Sequence, residues 1–128
     1  MEKQPFEPGR RGPFNLTNRV IWSLEGWANT FRTEFSFRSW VLANIVSSGL
    51  AFMLPIAEFE RLIIVVLGVL VLAAELLNTA IEHLADLVEP AKNPAIKACK
   101  DAASAGVAVT ACAAGVAWIF ALAGLAGF

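Results

Sequence analysis

The stretch LIIVVLGVLVLAAELLNTAIEHLADLV, residues 62–88, decides how the rest of the chain is read. From Leu62 to Ala74 it carries no charge, as a lipid-facing helix would, and then Glu75, Asn78, Glu82 and Asp86 follow at spacings of three, four and four. At about 100° per residue these four groups fall within roughly 60° of one another, so a helix presents them as one polar stripe. A carboxylate in apolar surroundings costs about 2.5 kcal/mol or more, and such residues generally face a protein interior, water or a ligand. Glu75, the deepest, suits a general base. Glu82, nearer water, suits a hydrated divalent cation, whose hard character matches carboxylate oxygens. Asp86, nearest the surface, reads equally well as a group approaching the headgroup layer.

On either side of this helix lie two more apolar runs. Trp40 to Ala57 is uncharged for 18 residues, about enough for a hydrocarbon core of roughly 30 Å. Ala102 to Phe128 is uncharged and rich in Ala and Gly, which favour close helix packing in a bilayer. Between them run a short charged connection, Glu58 to Arg61, and a polar segment from Glu89 to Asp101 whose Pro90 and Pro94 mark a turn. Upstream, Phe14 to Arg38 mixes Trp22, Leu24, Trp27, Phe31, Phe35 and Phe37 with Arg19, Arg32 and Arg38, as an interfacial helix does. The opening 13 residues, with three prolines and five charged side chains, lack the apolar core of a signal peptide. The expected fold is an all-α membrane protein. It has a flexible cytoplasmic tail (1–13) and one membrane domain (14–128), with an amphipathic surface helix at about 14–38 and three transmembrane helices at about 40–57, 62–82 and 102–126.

Of the 128 residues, 57% are hydrophobic, and 10 basic residues stand against 11 acidic, a net charge of −1 that gives no basic field for nucleic acid. Lys3, Arg10, Arg11, Arg19, Arg32 and Arg38 precede the first run, and Lys92, Lys97 and Lys100 fall in the second connection. The positive-inside rule therefore puts the N-terminus and that connection in the cytoplasm. Two cysteines, Cys99 and Cys112, are about 20 Å apart if they share one helix, which forbids a disulfide between them.

Lys97, Lys100, Asp101 and Ser104 lead into the last run and supply cations able to meet phosphate, although Lys97 alone reads as a snorkelling anchor. The sequence has no G-x-x-x-x-G-K-[ST] loop, no glycine-rich kinase loop and no H-E-x-x-H pair. His83, the one histidine, reads as a solvated or packing residue. Trp22, Trp27, Trp40 and Trp118 read as interfacial anchors.

The stretch from Glu75 to Asp86 (ELLNTAIEHLAD), followed by ACKDAASAGV at 98–107, resembles the prokaryotic diacylglycerol kinase family, whose E-x-x-N-[ST]-x-I-E-x-x-x-D element it matches and whose later A-K-D element it follows in Lys100 and Asp101, with Cys99 in the place of the alanine. Glu34 with Phe37 and Arg38 is similar to the family's E-x-x-F-R element. The resemblance runs from about Ile21 to the C-terminus. It implies a homotrimer in the bacterial inner membrane, N-terminus cytoplasmic, that transfers the γ-phosphate of MgATP to a lipid hydroxyl. By motif position Glu75 would be the catalytic base and Glu34 and Glu82 the metal ligands. Trp22, Glu34, Asn78, Glu82, Lys100 and Asp101 would contact the nucleotide, and Arg38, Arg61, Glu75, Ser104 and Trp118 the lipid. Departures fall upstream: Asn15 stands where members often carry arginine, and Trp40 where many carry Glu. The expected substrate is diacylglycerol. Undecaprenol is the alternative within the family, and a non-enzymatic ion or proton relay the alternative outside it. Glu34 and the Lys100–Asp101 pair speak against a relay, which would not require them.

Overall fold

The computed structural model describes residues 16–127; the tail expected at 1–13 and the departure at Asn15 lie outside that range. Four helices follow in order, α1 (Leu16–Thr33), α2 (Phe35–Met53), α3 (Glu58–Val88) and α4 (Pro94–Leu125). Glu34 alone separates α1 from α2, with extended backbone at φ −103° and ψ 116°. Arg38 Nη1 donates to the carbonyls of Phe31 at 3.2 Å and Arg32 at 2.9 Å, so the first turn of α2 caps the last turn of α1. Phe37, fully buried, meets the edge of Trp27, which stacks on Phe31. The surface helix expected over 14–38 therefore stops at Thr33, and residues 35–38 open the next helix.

The run expected to span from 40 to 57 is helical only as far as Met53. Its stop is chemical. The carbonyl of Ala51 would accept from the amide four residues on, but that residue is Pro55, which has no N–H. Arg61 Nε donates to this carbonyl instead, at 2.8 Å, and Nη2 reaches Leu54 O and Ile56 O at 3.4 and 3.5 Å. Glu60 accepts from the amide of Ala57 at 3.0 Å, and Glu58 and Glu60 place negative charge in the first turn of α3, where the helix dipole favours it.

α3 runs for 31 residues, about 46 Å, straight through Glu75. α4 is as long, and joins in one helix the lead-in and the span that the sequence had separated. It begins where Asn93 Oδ1 accepts from the amide of Ala95 at 2.9 Å and Pro94 supplies a first-turn residue with no N–H to satisfy. Cys99 and Cys112 are both free thiols on α4, as expected.

α3 packs between α2 and α4, and α1 touches α2 and α3. At one end the bundle closes on a cluster of Ala51, Ile56, Ile64 and Ala121, with Leu54, Ala117 and Trp118 against it. Trp118 Nε1 donates to Ser47 Oγ at 2.8 Å and ties α4 to α2. Closer to mid-helix, α2 and α3 approach so tightly that a Cβ on Gly68 would lie 2.0 Å from Asn44 Oδ1. Among the described residues two helices, α3 and α4, are long and apolar enough to cross a membrane, yet only 28% and 11% of their apolar windows are buried within the chain. Their remaining surface requires cover from lipid or from other subunits. α2, with 19 residues or about 28 Å, is shorter than either and holds Arg38, Asn44, Ser47 and Ser48 in its length.

Candidate active site

At the end opposite the apolar cluster, a cleft of about 430 Å³ opens between α2, α3 and α4. Its walls are Ser36 and Trp40 from α2, Glu75, Asn78 and Glu82 from α3, and Ser104, Val107 and Ala108 from α4. The three-four spacing read from the sequence thus aims three of the four stripe residues into one hollow. Glu75 is 4% exposed and Asn78 8%, so the deep part of this wall is polar and dry. Asn78 Nδ2 donates to Glu82 Oε1 at 3.1 Å, which fixes the amide orientation and turns Oδ1 away from that partner. Asn78 Oδ1 is buried and has no hydrogen-bond partner among the described residues. Buried polar atoms are nearly always satisfied, so an orphan beside a cleft is an acceptor waiting for a donor or a cation.

The fourth stripe residue, Asp86, pairs instead with Lys100 of α4, nearer the α3–α4 connection. Asp101 is exposed and pairs with Lys97, one turn back on the same helix, so Lys97 is an ion-pair partner as well as a surface cation. Below the connection a hollow of about 220 Å³ is lined by Asp86, Glu89, Lys92, Asn93, Lys97 and Lys100, among others. Ser104, one turn beyond Lys100, reaches the Glu75 cleft.

The remaining predicted residues are distributed along the bundle. Glu34 stands at the α1–α2 corner, two residues before Ser36, and its Oε1 accepts from His83 Nε2 at 3.0 Å. Trp22 is exposed on α1. Arg38 is occupied in capping α1. Arg61 lies 14 residues from Glu75 along α3, about 21 Å, and is held by the carbonyls of the α2–α3 turn. Trp118 is equally far from Ser104 along α4. It lines a second, apolar groove of about 500 Å³ with Ser39, Leu42, Ala43, Val46, Ser47 and Leu50. Neither Arg61 nor Trp118 shares the cleft of Glu75.

Sequence reasoning missed Ser36 as a wall residue and the partnership of His83. Trp40, read as an interfacial anchor and as a departure from the family pattern, stands instead on the wall of the cleft.

A divalent cation of the kind the resemblance implies finds suitable chemistry here. Glu75, Glu82 and Asn78 Oδ1 offer hard oxygens in one wall, although no three His, Cys, Asp or Glu side chains converge on a common point among the described residues. Such a set fits magnesium, which takes one or two carboxylates and completes its shell with water and substrate phosphate.

The sequence model of the prokaryotic diacylglycerol kinase family matches residues 21–122, which includes every wall of this cleft. The chain belongs to that family. Among curated members, the diacylglycerol kinase of Pseudomonas aeruginosa is 36% identical over 118 residues, 92% of this chain and 95% of that protein. The diacylglycerol kinase of Haemophilus influenzae is 30% identical over 107 residues, 84% and 91% of the two chains. An undecaprenol kinase of Bacillus subtilis is 38% identical over 98 residues, 77% and 75%. Family membership makes this an enzyme of lipid phosphorylation and its apolar helices membrane-embedded.

Proposed function

We propose that the chain transfers the γ-phosphate of ATP to the hydroxyl of diacylglycerol at the cytoplasmic face of the inner membrane, yielding phosphatidic acid. The observation that carries this reading is the cleft wall formed by buried Glu75 and Asn78 with half-buried Glu82, in a hollow that Ser104 also lines. In the proposed arrangement residues 14–128 form one membrane domain. The helices α2, α3 and α4 are its spans, the N-terminus and the α3–α4 connection are cytoplasmic, and three copies assemble.

Glu75 accepts the proton of the lipid hydroxyl as its oxygen bonds to the γ-phosphorus and the bond to the β–γ bridging oxygen breaks. Its burial keeps water from competing for that role. Magnesium, held by Glu82 and Glu34, would neutralise charge on the transferred group. Asn78 directs Glu82 through their hydrogen bond and offers Oδ1 to the site. Lys100 faces the phosphates, with Asp86 holding its ammonium near the mouth. Asp101 and Trp22 complete the nucleotide contacts. Ser104 receives the lipid headgroup, and Arg38, at the start of α2, adds positive charge for it. The acyl chains follow the apolar groove between α2 and α4 toward Trp118, whose distance of about 21 Å from Ser104 suits a lipid tail. Arg61 serves that groove through the turn it holds together.

Glu75→Gln tests the assignment: the amide is isosteric but cannot take the proton, and turnover should fall a hundred- to ten-thousandfold, on the order of a general base's contribution. Wild-type phosphorylation by this variant, at matched protein and lipid, would refute it. The likeness to an undecaprenol kinase favours a second acceptor. Assaying purified protein with ATP and each lipid separates the two.

A further inference from the structure

The contact between His83 and Glu34 joins segments 49 residues apart in the sequence. A carboxylate oxygen accepts, so His83 carries its hydrogen on Nε2 and donates to Glu34 Oε1 at 3.0 Å. Thr33 Oγ1 lies 3.4 Å from the same oxygen, but its single hydrogen has a shorter partner in the carbonyl of Asn29 at 3.1 Å. The contact from His83 falls on Oε1, and Oε2 accepts none among the described residues. Glu34 is the one extended residue between α1 and α2, and its side chain caps neither helix. Nothing in its own element therefore sets the direction of its carboxylate. His83 immediately follows Glu82 on α3, and Ser36, two residues past Glu34, lines the same cleft as Glu82.

We infer that His83 is a positioning residue that holds Glu34 Oε1 against α3, so that Oε2 is presented toward the metal-bearing side of the cleft. This rests on the proposed role of Glu34 as a ligand of the nucleotide-bound cation and specifies how that ligand is aimed. The side chains are 61% and 28% exposed, so the contact adds little to the stability of the fold, as is usual for exposed pairs. Its effect lies in direction.

The test uses the full chain in detergent micelles with a non-hydrolysable ATP analogue and Mn2+, whose free fraction is read by electron paramagnetic resonance. His83→Ala should weaken binding about five- to tenfold, the worth of one hydrogen bond, and raise the KM for metal–nucleotide by a similar factor while kcat holds. His83→Gln, whose amide can donate from a similar reach, should recover binding to within about twofold of the parent. Glu34→Ala should bind weakly, and adding His83→Ala to it should cost nothing more.

If Glu34→Ala binds weakly but His83→Ala binds like the parent, the positioning inference fails and the ligand role of Glu34 stands. Parent-like binding by Glu34→Ala overturns both. Should His83→Gln bind as poorly as His83→Ala, the donor role is wrong.

Discussion

Replacing Arg61 by methionine removes the donor that stands in for the missing amide of Pro55 while keeping an apolar stem in place. The Nε bond to Ala51 O is short, charge-assisted and attached to a fully buried residue, and such a bond is worth about 1.5–3 kcal/mol. The contacts to Leu54 O and Ile56 O, at 3.4 and 3.5 Å, are at the edge of useful geometry and add little. The guanidinium also lies 5.4 Å from the ring centre of Phe52, an exposed cation–π contact of about 0.5–1 kcal/mol. Arg61→Met should therefore lose about 2–4 kcal/mol of stability. Equilibrium unfolding in mixed micelles with increasing SDS, followed by circular dichroism, measures it. Pro55→Ala restores an amide four residues after Ala51, so in the Arg61→Met background it should regain about 1 kcal/mol. Destabilisation by Arg61→Met of less than about 0.5 kcal/mol, the range of an ordinary surface change, would refute the reasoning. So would a double variant no more stable than Arg61→Met alone.

Gly68→Val should destabilise by about 1–3 kcal/mol in the same unfolding assay, because even the first side-chain carbon overlaps the Asn44 amide, which must then swing out of the α2–α3 seam and off the Trp40 carbonyl it donates to. Asn93→Ala should lose about 1 kcal/mol through the cap on the Ala95 amide, and Asn93→Asp should lose much less, both read by unfolding. Mixing inactive Glu34→Ala with inactive Glu75→Gln subunits and reassembling them should restore activity if sites form between subunits; mixtures that stay inactive while reassembled wild type recovers would assign each site to one chain.

The polar stripe was legible because Glu75, Asn78 and Glu82 belong to one helix, where spacing alone fixes their common face. Asp86 obeys the same spacing but turns to Lys100, because a long, half-buried lysine on α4 comes within its reach, and only packing decides which lysine does so. The corner at Glu34 was invisible for a related reason. No glycine or proline marks it, and the cap that permits it comes from Arg38, a residue of the following helix. The early end of α2 was readable in principle, since Pro55 removes the amide that Ala51 would use. An uncharged run measures apolarity, though, and hydrogen-bonding amides have to be counted separately. Trp118 on Ser47 and His83 on Glu34 depend on the register of one helix against another, which no local pattern encodes.

The unbroken length of α3 ties the height of the reaction to the thickness of the bilayer. Glu58, Glu60 and Arg61 anchor its start in the far polar layer of the proposed arrangement, and Glu75 lies 17 residues above Glu58, about 26 Å. A hydrocarbon core of about 30 Å leaves that carboxylate just under the near interface, where a lipid hydroxyl and a water-borne nucleotide can both arrive. A rigid rod cannot shorten to follow its surroundings. In a thicker bilayer the base sinks out of reach of the aqueous substrate unless the helices stretch the membrane's boundary inward around them, and in a thinner one it rises into water and loses the dryness that Asn78 and Glu75 share. The enzyme thus carries a ruler, and membranes whose hydrophobic thickness does not match it will set its rate through mismatch.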